Sequence, residues 1–491
     1  MGSSFSHYGK YSRKVRKLFL PIFIVLLAAC TEKETWCSDD SMKLEFSKDT
    51  VAFDTIVATV GSSTKTLVVY NKNKKGIRVE SVKLGKGTSS PFRINADGQF
   101  LPDGYGEDFE IRHEDSLVVR IEATPPSTGQ DAPLGYEDVL LFQLESGLTQ
   151  KVTLSVGSQD VHFFHAKSIL CDTTLCSGKP YVVYDSLVVA AGATLSLEPG
   201  VKLMFHDKAG LIVHGTLMAT GTEEKPIVFR GDRMDHMFDY LPYDNTPNRW
   251  EGIHICGESK NNLLSYCDIH SGCYGIRCDS TSLEQNTLNL QNSVIHNIGG
   301  NGLELNNCLT KAYNSQISNT FGYTVYMFGG ASEFVHCTIA QFYPFDADRG
   351  DALYLANQEG DNYRHIQYAH FINSVITGYA EDVIMGSITE GQDEQCDYLF
   401  DHCFLKTIES DDTLRFSQIT YDTKELELMS EDNFTIFDTD NFIYDFTPDS
   451  LSPIRNMGDP KHIEKYPVDR LGRSRTMDEG PDVGCYEYIA P

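Results

Sequence analysis

The chain has 491 residues, with 41 Lys and Arg against 69 Asp and Glu, a formal net charge of -28 at pH 7. So acidic a surface argues against nucleic acid or anionic lipid as a partner and is compatible with neutral or cationic ligands or with bound Ca²⁺. Hydrophobic residues make up 41%, enough for a sizeable core, and a mean hydropathy of -0.28 marks a water-soluble chain except at its start.

That start is distinctive. Lys10, Arg13, Lys14, Arg16 and Lys17 precede an apolar run, Leu18 to Leu27, interrupted only by Pro21. The run is too short to cross a bilayer and suits a signal peptide. It ends in Leu27-Ala28-Ala29-Cys30, which resembles a bacterial lipobox. The resemblance implies removal of residues 1–29, lipidation of Cys30 and a membrane as partner through that anchor. Loss of the five basic residues leaves the mature chain at -28 - 5 = -33. Thr31 after the lipidated Cys, rather than Asp, implies an outer-membrane address. Glu32-Lys33-Glu34 resembles acidic patches of surface-displayed lipoproteins, and the side of the membrane stays open. Residues 30–43 are polar, show no strand pattern and read as a tether.

Residues 44–160 read as a separate all-β domain. Alternating strands are expected at Thr50–Phe53, Lys65–Tyr70, Ile77–Leu84, Ser116–Ala123, Val139–Leu144 and Gln150–Val156. Clusters such as Asn71-Lys72-Asn73-Lys74 and Glu145-Ser146-Gly147 supply the turns. This spacing predicts an immunoglobulin-like β-sandwich. Val68–Asn71, Ile77–Val79 and Phe92–Asn95 resemble an N-terminal sandwich attached to bacterial β-helix lipoproteins, where a spacer or docking role is the default.

Residues 161–455 carry the organising pattern. Six times the chain places a polar residue, a small residue, any residue and then Ile or Leu. The instances are Tyr266–Ile269, Asn292–Ile295, Asn314–Ile317, His336–Ile339, Asn373–Ile376 and His402–Leu405, their last positions 26, 22, 22, 37 and 29 residues apart. Repeats of this length mean a solenoid, because one unit cannot bury its own apolar face. Segments that are short, punctuated by Gly and Asn and rich in Val, Ile and Thr disfavour helices. The fold class expected is therefore all-β: a sandwich followed by a right-handed parallel β-helix. Small residues stacked on small ones and Ile on Ile fill the inside, and Asn or His recurring at the turn fits an internal ladder of hydrogen bonds. Ala191–Leu195, Glu198–Val201, Gly210–Val213, Gly215–Leu217 and Pro226–Phe229 resemble the opening coils of pectin-lyase-like proteins, and Trp250–Ile253 the entry to the first regular coil. Asp469–Arg473 with Pro481–Glu487 resembles the tail of many bacterial β-helix proteins, so residues 456–491 are expected to cap the last coil, whose edges would otherwise be open.

Of thirteen cysteines, Cys171 and Cys176 are close enough in sequence to bridge a short loop as a disulfide. Cys267, Cys337 and Cys403 occupy the small inward position and read as buried free thiols. No Cys-x-x-Cys pair exists, so a structural zinc site is not expected.

Two insertions interrupt the repeat, and loops extruded from a rigid coil are natural sites of function. Gly231–Arg249 offers Asp232, Arg233, Asp235, His236 and Arg249, with Tyr240, Tyr243 and Asp244. Tyr343–His365 offers Asp346, Asp348, Arg349, Asp351, Arg364 and His365, and contains the adhesion-type tripeptide Arg349-Gly350-Asp351. Carboxylates, Arg and aromatic rings suit sugar recognition, although polar loops also serve simply as solvated surface. His270 and His296 follow Ile269 and Ile295, so they should point outward one coil apart, stacked as an exposed polar pair or sharing a metal or ligand. The hydrolase sets of pectin-lyase-like enzymes do not occur in order on successive coils, since Asp39-Asp40 falls in the tether and Asp411-Asp412 past the last repeat; the lyase-type Arg-x-Pro-x-x-Arg pattern, Gly-x-Ser-x-Gly, His-Glu-x-x-His and phosphate-binding loops are absent. Two functions remain: a monomeric envelope protein whose β-helix binds polysaccharide or another macromolecule, or a polysaccharide lyase or glycoside hydrolase of unrecognised type.

Overall fold

The computed structural model describes residues 34–389, 396–422 and 430–490. The expected signal peptide, the lipidation site Cys30 and residues 31–33 of the tether lie outside the described residues. The described residues divide into two compact units: one built from 34–53, 61–125 and 136–156, the other from 54–60, 126–135 and those from 157 onward.

The first unit is an immunoglobulin-like sandwich. One sheet orders Trp36–Cys37, Gly76–Leu84, Leu134–Leu144, Thr149–Gln159 and Thr50–Val57, with Tyr105–Ile111 also on Gly76–Leu84. The other orders Glu45–Phe46, Lys65–Asn71, Asp115–Ala123, Phe92–Ala96 and Gln99–Leu101. Alternation sets the core: Leu117, Val119, Ile121 and Ala123 are buried, while Ser116, Arg120 and Glu122 between them are exposed. All six expected strands are present. Tyr105–Ile111 escapes a hydrophobicity reading because its outward positions are Glu107, Asp108 and Glu110. Within the expected tether, Trp36–Cys37 forms a short parallel strand on Gly76–Ile77, and the Arg78 guanidinium covers the Trp36 ring at 4.9 Å.

The second unit is a parallel β-helix with three ladders, one per side of each coil. The first side stacks Ile227–Gly231, Cys267–His270, Val294–Ile298, Gln316–Thr320, Thr338–Gln341, Val375–Gly378 and Phe404–Leu405. The second stacks Gly210–Val213, Ile253–Ile255, Ile276–Cys278, Leu303–Asn306, Val325–Phe328, Leu353–Ala356 and Ile384–Ser387. The third runs from Thr173–Leu175 to Phe416–Ser417. The repeat is the first side: Ile269, Ile295, Ile317, Ile339, Ile376 and Leu405 are paired in unbroken register. Each is fully buried, worth roughly 1.5–3 kcal/mol of transfer free energy. On the third side, inward Phe334, Phe371, Phe400 and Phe416 form a column with centroid separations of 5.0, 5.0 and 5.1 Å.

The polar residue of the repeat has a backbone role. Tyr266, Asn292, Asn314, His336, Asn373 and His402 all turn the corner at φ of 47–51°, a left-handed conformation that Asn tolerates best among non-Gly residues. The hydrogen-bond ladder is partial: Asn314 Nδ2 donates to Asn292 Oδ1 (3.2 Å), and the Asn373 amide meets the His336 ring at 3.0 Å. The small residue carries a ladder of its own. Backbone N–H groups of Cys267, Ser293 and Cys337 donate to the hydroxyls of Ser293, Ser315 and Ser374 one coil on. Cys267, Cys337 and Cys403 are buried free thiols, as their position requires.

Three expectations need correction. Cys171 and Cys176 are separate, exposed thiols: the strand Thr173–Leu175 holds the chain between them extended. The 37-residue step is not one insertion, because the regular strand Leu353–Ala356 runs through it, paired with Val325–Phe328. It leaves a loop before that strand and a small hairpin, Gln358–Glu359 with Asn362–Tyr363, after it. The C-terminal segment, finally, closes the flank of the first side rather than an end of the coil. Val483, Cys485 and Tyr486, with Phe434, Phe446 and Ile454, pack on the outward residues Ala340, Phe342, Val375 and Phe404. Apolar side chains on an outward face need such a cover.

The tail motif is explained by this strap. The buried Asp469 carboxylate accepts from the N–H groups of Leu471, Arg473 and Glu487 (each 2.8 Å), and Asp482 accepts from Asn456 and Tyr488. Arg475, fully buried, pairs with Glu487 and donates to Asn314 Oδ1 at 2.8 Å. Tyr486 donates to Gln316 Oε1 at 2.7 Å.

Candidate ligand-binding face

His270 and His296 point outward one coil apart, as expected, with ring centroids at 4.9 Å. They are not an exposed stack. The His270 side chain is only 8% exposed, because the Gly231–Arg249 insertion folds over it. His270 Nδ1 and His296 Nε2 both lie on Asp268 Oδ1, at 2.8 and 3.1 Å, and His270 Nε2 is 3.5 Å from Asp244. Burial disfavours both charges, yet the pairing outweighs it. Asp268 is held well below the usual carboxylate range by His270 and His296, and His270 is pushed up to about 9 by Asp268 and Asp244. Arg230 also pairs with Asp244, and Arg470 acts on Asp268. With His270 protonated and two guanidinium groups nearby, this is an ion-pair network inside the wall.

The other charged residues singled out in the first insertion are engaged with protein groups. Asp232 pairs with His206 at 2.7 Å. Arg233 binds Asp235 and lies 4.1 Å over the Tyr243 ring, while Arg249 covers that ring at 5.3 Å. His236 lies 3.1 Å from Asp54, the residue of strand Thr50–Val57 at which the second unit begins. In the loop before Leu353, Arg349 donates to the carbonyls of Tyr343 and Asp346 and covers the Tyr379 ring at 4.4 Å, and Asp346 caps the N–H of Asp348. The Arg-Gly-Asp tripeptide therefore spends its guanidinium inside its own loop. Arg364 and His365 belong to the hairpin after Ala356, where His365 packs edge-on against Tyr363 at 5.3 Å. Arg364 and His365 are thus not brought to the loop of Asp346, Asp348 and Arg349.

What the insertions frame is the second side of the coil. Gly231–Arg249 and the 342–352 loop both leave the corner between its first and second sides, and the hairpin leaves the corner beyond. The outward row between them is His254, Arg277, Glu304, Tyr326 and Tyr354, in continuous register. Tyr326 and Tyr354 stack nearly parallel, 5.4 Å apart at 4°, and Tyr323 adds a third ring 4.8 Å from Tyr354. Burial raises all three phenol pKa values, so the rings stay neutral. Glu304 accepts from Asn301 and Asn306 and pairs with Arg277, each at 3.2 Å, and Tyr326 donates to Glu359 at 2.6 Å. Of the residues singled out in the sequence, Asp351 lies here, acting on Tyr323, its carboxyl raised by burial and by Asp382.

These rings were legible after all. Ile253-His254-Ile255, Ile276-Arg277-Cys278, Leu303-Glu304-Leu305, Val325-Tyr326-Met327 and Leu353-Tyr354-Leu355 are a second repeat, apolar–outward–apolar, at steps of 23, 27, 22 and 28 residues. The outcome is a half-exposed strip of rings, amides and engaged carboxylates on a rigid wall, suited to laying an extended polar ligand across several coils.

No family model matches the chain. A stretch of 107 residues is 36% identical to Protein bark beetle of Drosophila melanogaster; it covers 20% of this chain and 3% of the fly protein. Among solved structures, PapD-like domain 7 of human CEP192 is similar over 33% of this chain and 98% of its own, at 12% identity and a TM-score of 0.17. A family 123 glycoside hydrolase from Clostridium perfringens is similar over 24% of this chain and 28% of its own, at 9% identity and a TM-score of 0.19.

Proposed function

We propose that this protein binds polysaccharide along the second side of its β-helix and acts as a non-catalytic recognition module. The observation that carries the reading is the ring cluster Tyr323, Tyr326 and Tyr354, set in register with Glu304, Asn301 and Asn306. Sugar rings stack on aromatic faces, and amides and carboxylates take hydroxyls. Glu304 and Glu359 are each tied to neighbours, which favours binding over acid–base chemistry. The test is incubation with plant, algal and host glycans, following both retention and new reducing or unsaturated ends. Retention without product supports the module; product formation moves the protein to the lyases and hydrolases.

The same proposal places the chain at the outer membrane, anchored through Cys30 in the manner of pectin-lyase-like bacterial lipoproteins. The support is Leu27-Ala28-Ala29-Cys30 behind a basic and apolar leader. Growth with labelled palmitate should mark the chain, and Cys30→Ala should abolish the label. An unlabelled wild-type chain contradicts the anchor.

A further inference from the structure

We propose that His214, His254, Cys256 and Asp279 bind one zinc-type divalent ion at the corner between the second and third sides of the coil. The four residues come from three successive levels. Val213, Ile255 and Cys278 are paired in register, which stacks the corner residues that follow them: His214, Cys256 and Asp279. His254 is the outward residue of the middle level.

The ligand atoms of His254, Cys256 and Asp279 all lie within 4.8 Å of one another. His254 Nε2 is 2.9 Å from Asp279 Oδ2, and Cys256 Sγ is 3.9 Å from His214 Nε2. Around tetrahedral zinc, with bonds of about 2.0 Å to nitrogen and 2.3 Å to sulfur, neighbouring donors stand roughly 3.3–3.7 Å apart. The 2.9 and 3.9 Å pairs lie on either side of that range: His254, Cys256 and Asp279 already converge, and His214 would swing in from beside the Cys256 sulfur as the fourth ligand. A second, independent feature points the same way. His214 Nδ1 is hydrogen-bonded to Glu258 at 2.6 Å, which leaves Nε2 facing the Cys256 sulfur. A carboxylate behind an imidazole is the usual support of a metal-bound His.

The local charge also suits a cation. The carboxylates of Asp279 and Glu258 are the charges acting on Cys256. Arg277, one level on from His254, is turned to Glu304 at 3.2 Å and the Tyr274 ring at 4.5 Å. The Asp268–His270–His296 cluster, by contrast, is shared with Arg230 and Arg470. Thiolate and imidazole donors select zinc and its neighbours over Ca²⁺ or Mg²⁺, which take oxygen. On binding, Cys256 forms its bond to the metal through sulfur and releases its proton to solvent. Cys256 is buried, while His214, His254 and Asp279 reach solvent, so the ion enters from outside.

The test uses the full-length chain in detergent, titrated with Co²⁺ and then Zn²⁺. The expected result is one equivalent of Co²⁺ with a sulfur-to-cobalt charge-transfer band, displaced by Zn²⁺. Cys256→Ser should abolish the band, and His254→Ala should weaken binding at least tenfold. Glu258→Gln should weaken it about 10- to 100-fold with the band kept. His270→Ala should change nothing. His254→Ala, on the surface, decides the matter should Cys256→Ser fold poorly. Absence of the band in the wild-type chain, or undiminished binding in His254→Ala, overturns the proposal. So does loss of the ion in His270→Ala.

Discussion

The first and second sides of the coil are built from the same backbone and have opposite fates. On the first side, the outward residues Gln316, Ser318, Thr338, Ala340 and Val375 are buried, because the C-terminal strap lies over them. On the second, the outward row from His254 to Tyr354 stays half-exposed between loops. An outward position in a solenoid is thus only a candidate for recognition; what covers it decides. His270 illustrates the first case and Tyr326 the second.

The comparison can be broken hardest at the strap. Arg475→Ala leaves Glu487 buried without its partner and should cost about 3–5 kcal/mol, read by denaturant unfolding. A change within experimental error would mean the strap does not hold the first side closed. A smaller, pH-dependent effect sharpens the same point. His270 holds its proton more tightly in the folded chain, so its contribution is complete below about pH 6.5 and is lost as pH rises through about 9. Wild-type stability should fall across that window, and the fall should be blunted in His270→Gln. Equal slopes would place His270 outside the network.

At the corner between the third and first sides, Asn292→Ala should cost about 1–2 kcal/mol, because φ there is 48°. Asn292→Gly should cost less. Both remove the bond from Asn314, so the difference isolates the backbone. Equal losses would assign the recurring Asn to its hydrogen-bond ladder instead. On the second side, Tyr354→Ala should leave stability nearly unchanged and weaken glycan retention by about 0.5–1.5 kcal/mol, the worth of one stacked ring.

The coil was legible because its first side repeats a small residue and Ile at recognisable steps, and stacking registers those steps directly. The sandwich was legible where long strands alternate plainly; acidic outward positions hid Tyr105–Ile111, and brevity hid Glu45–Phe46 and Gln99–Leu101. The strap was not: Phe342 and Phe404 look like ordinary core residues until the coil turns them outward. The loop residues were found by composition, but composition cannot tell a charge that meets a ligand from one that holds its own loop, as Arg233 and Arg349 do. The metal ligands were hidden by their spacing. His214, His254, Cys256 and Asp279 are 40, 2 and 23 residues apart, and only the coil period brings them together. Absence of Cys-x-x-Cys excludes a zinc knuckle, not a site assembled across levels.

The most direct measurement is hydroxyl-radical footprinting of the tyrosines with and without a retained glycan. Binding along the second side predicts protection of Tyr323, Tyr326 and Tyr354, with Tyr313 and the strap's Tyr466, whose tilted rings meet at 4.9 Å, unchanged. Protection confined to Tyr240 and Tyr243 of the first insertion, or to the sandwich, would contradict it.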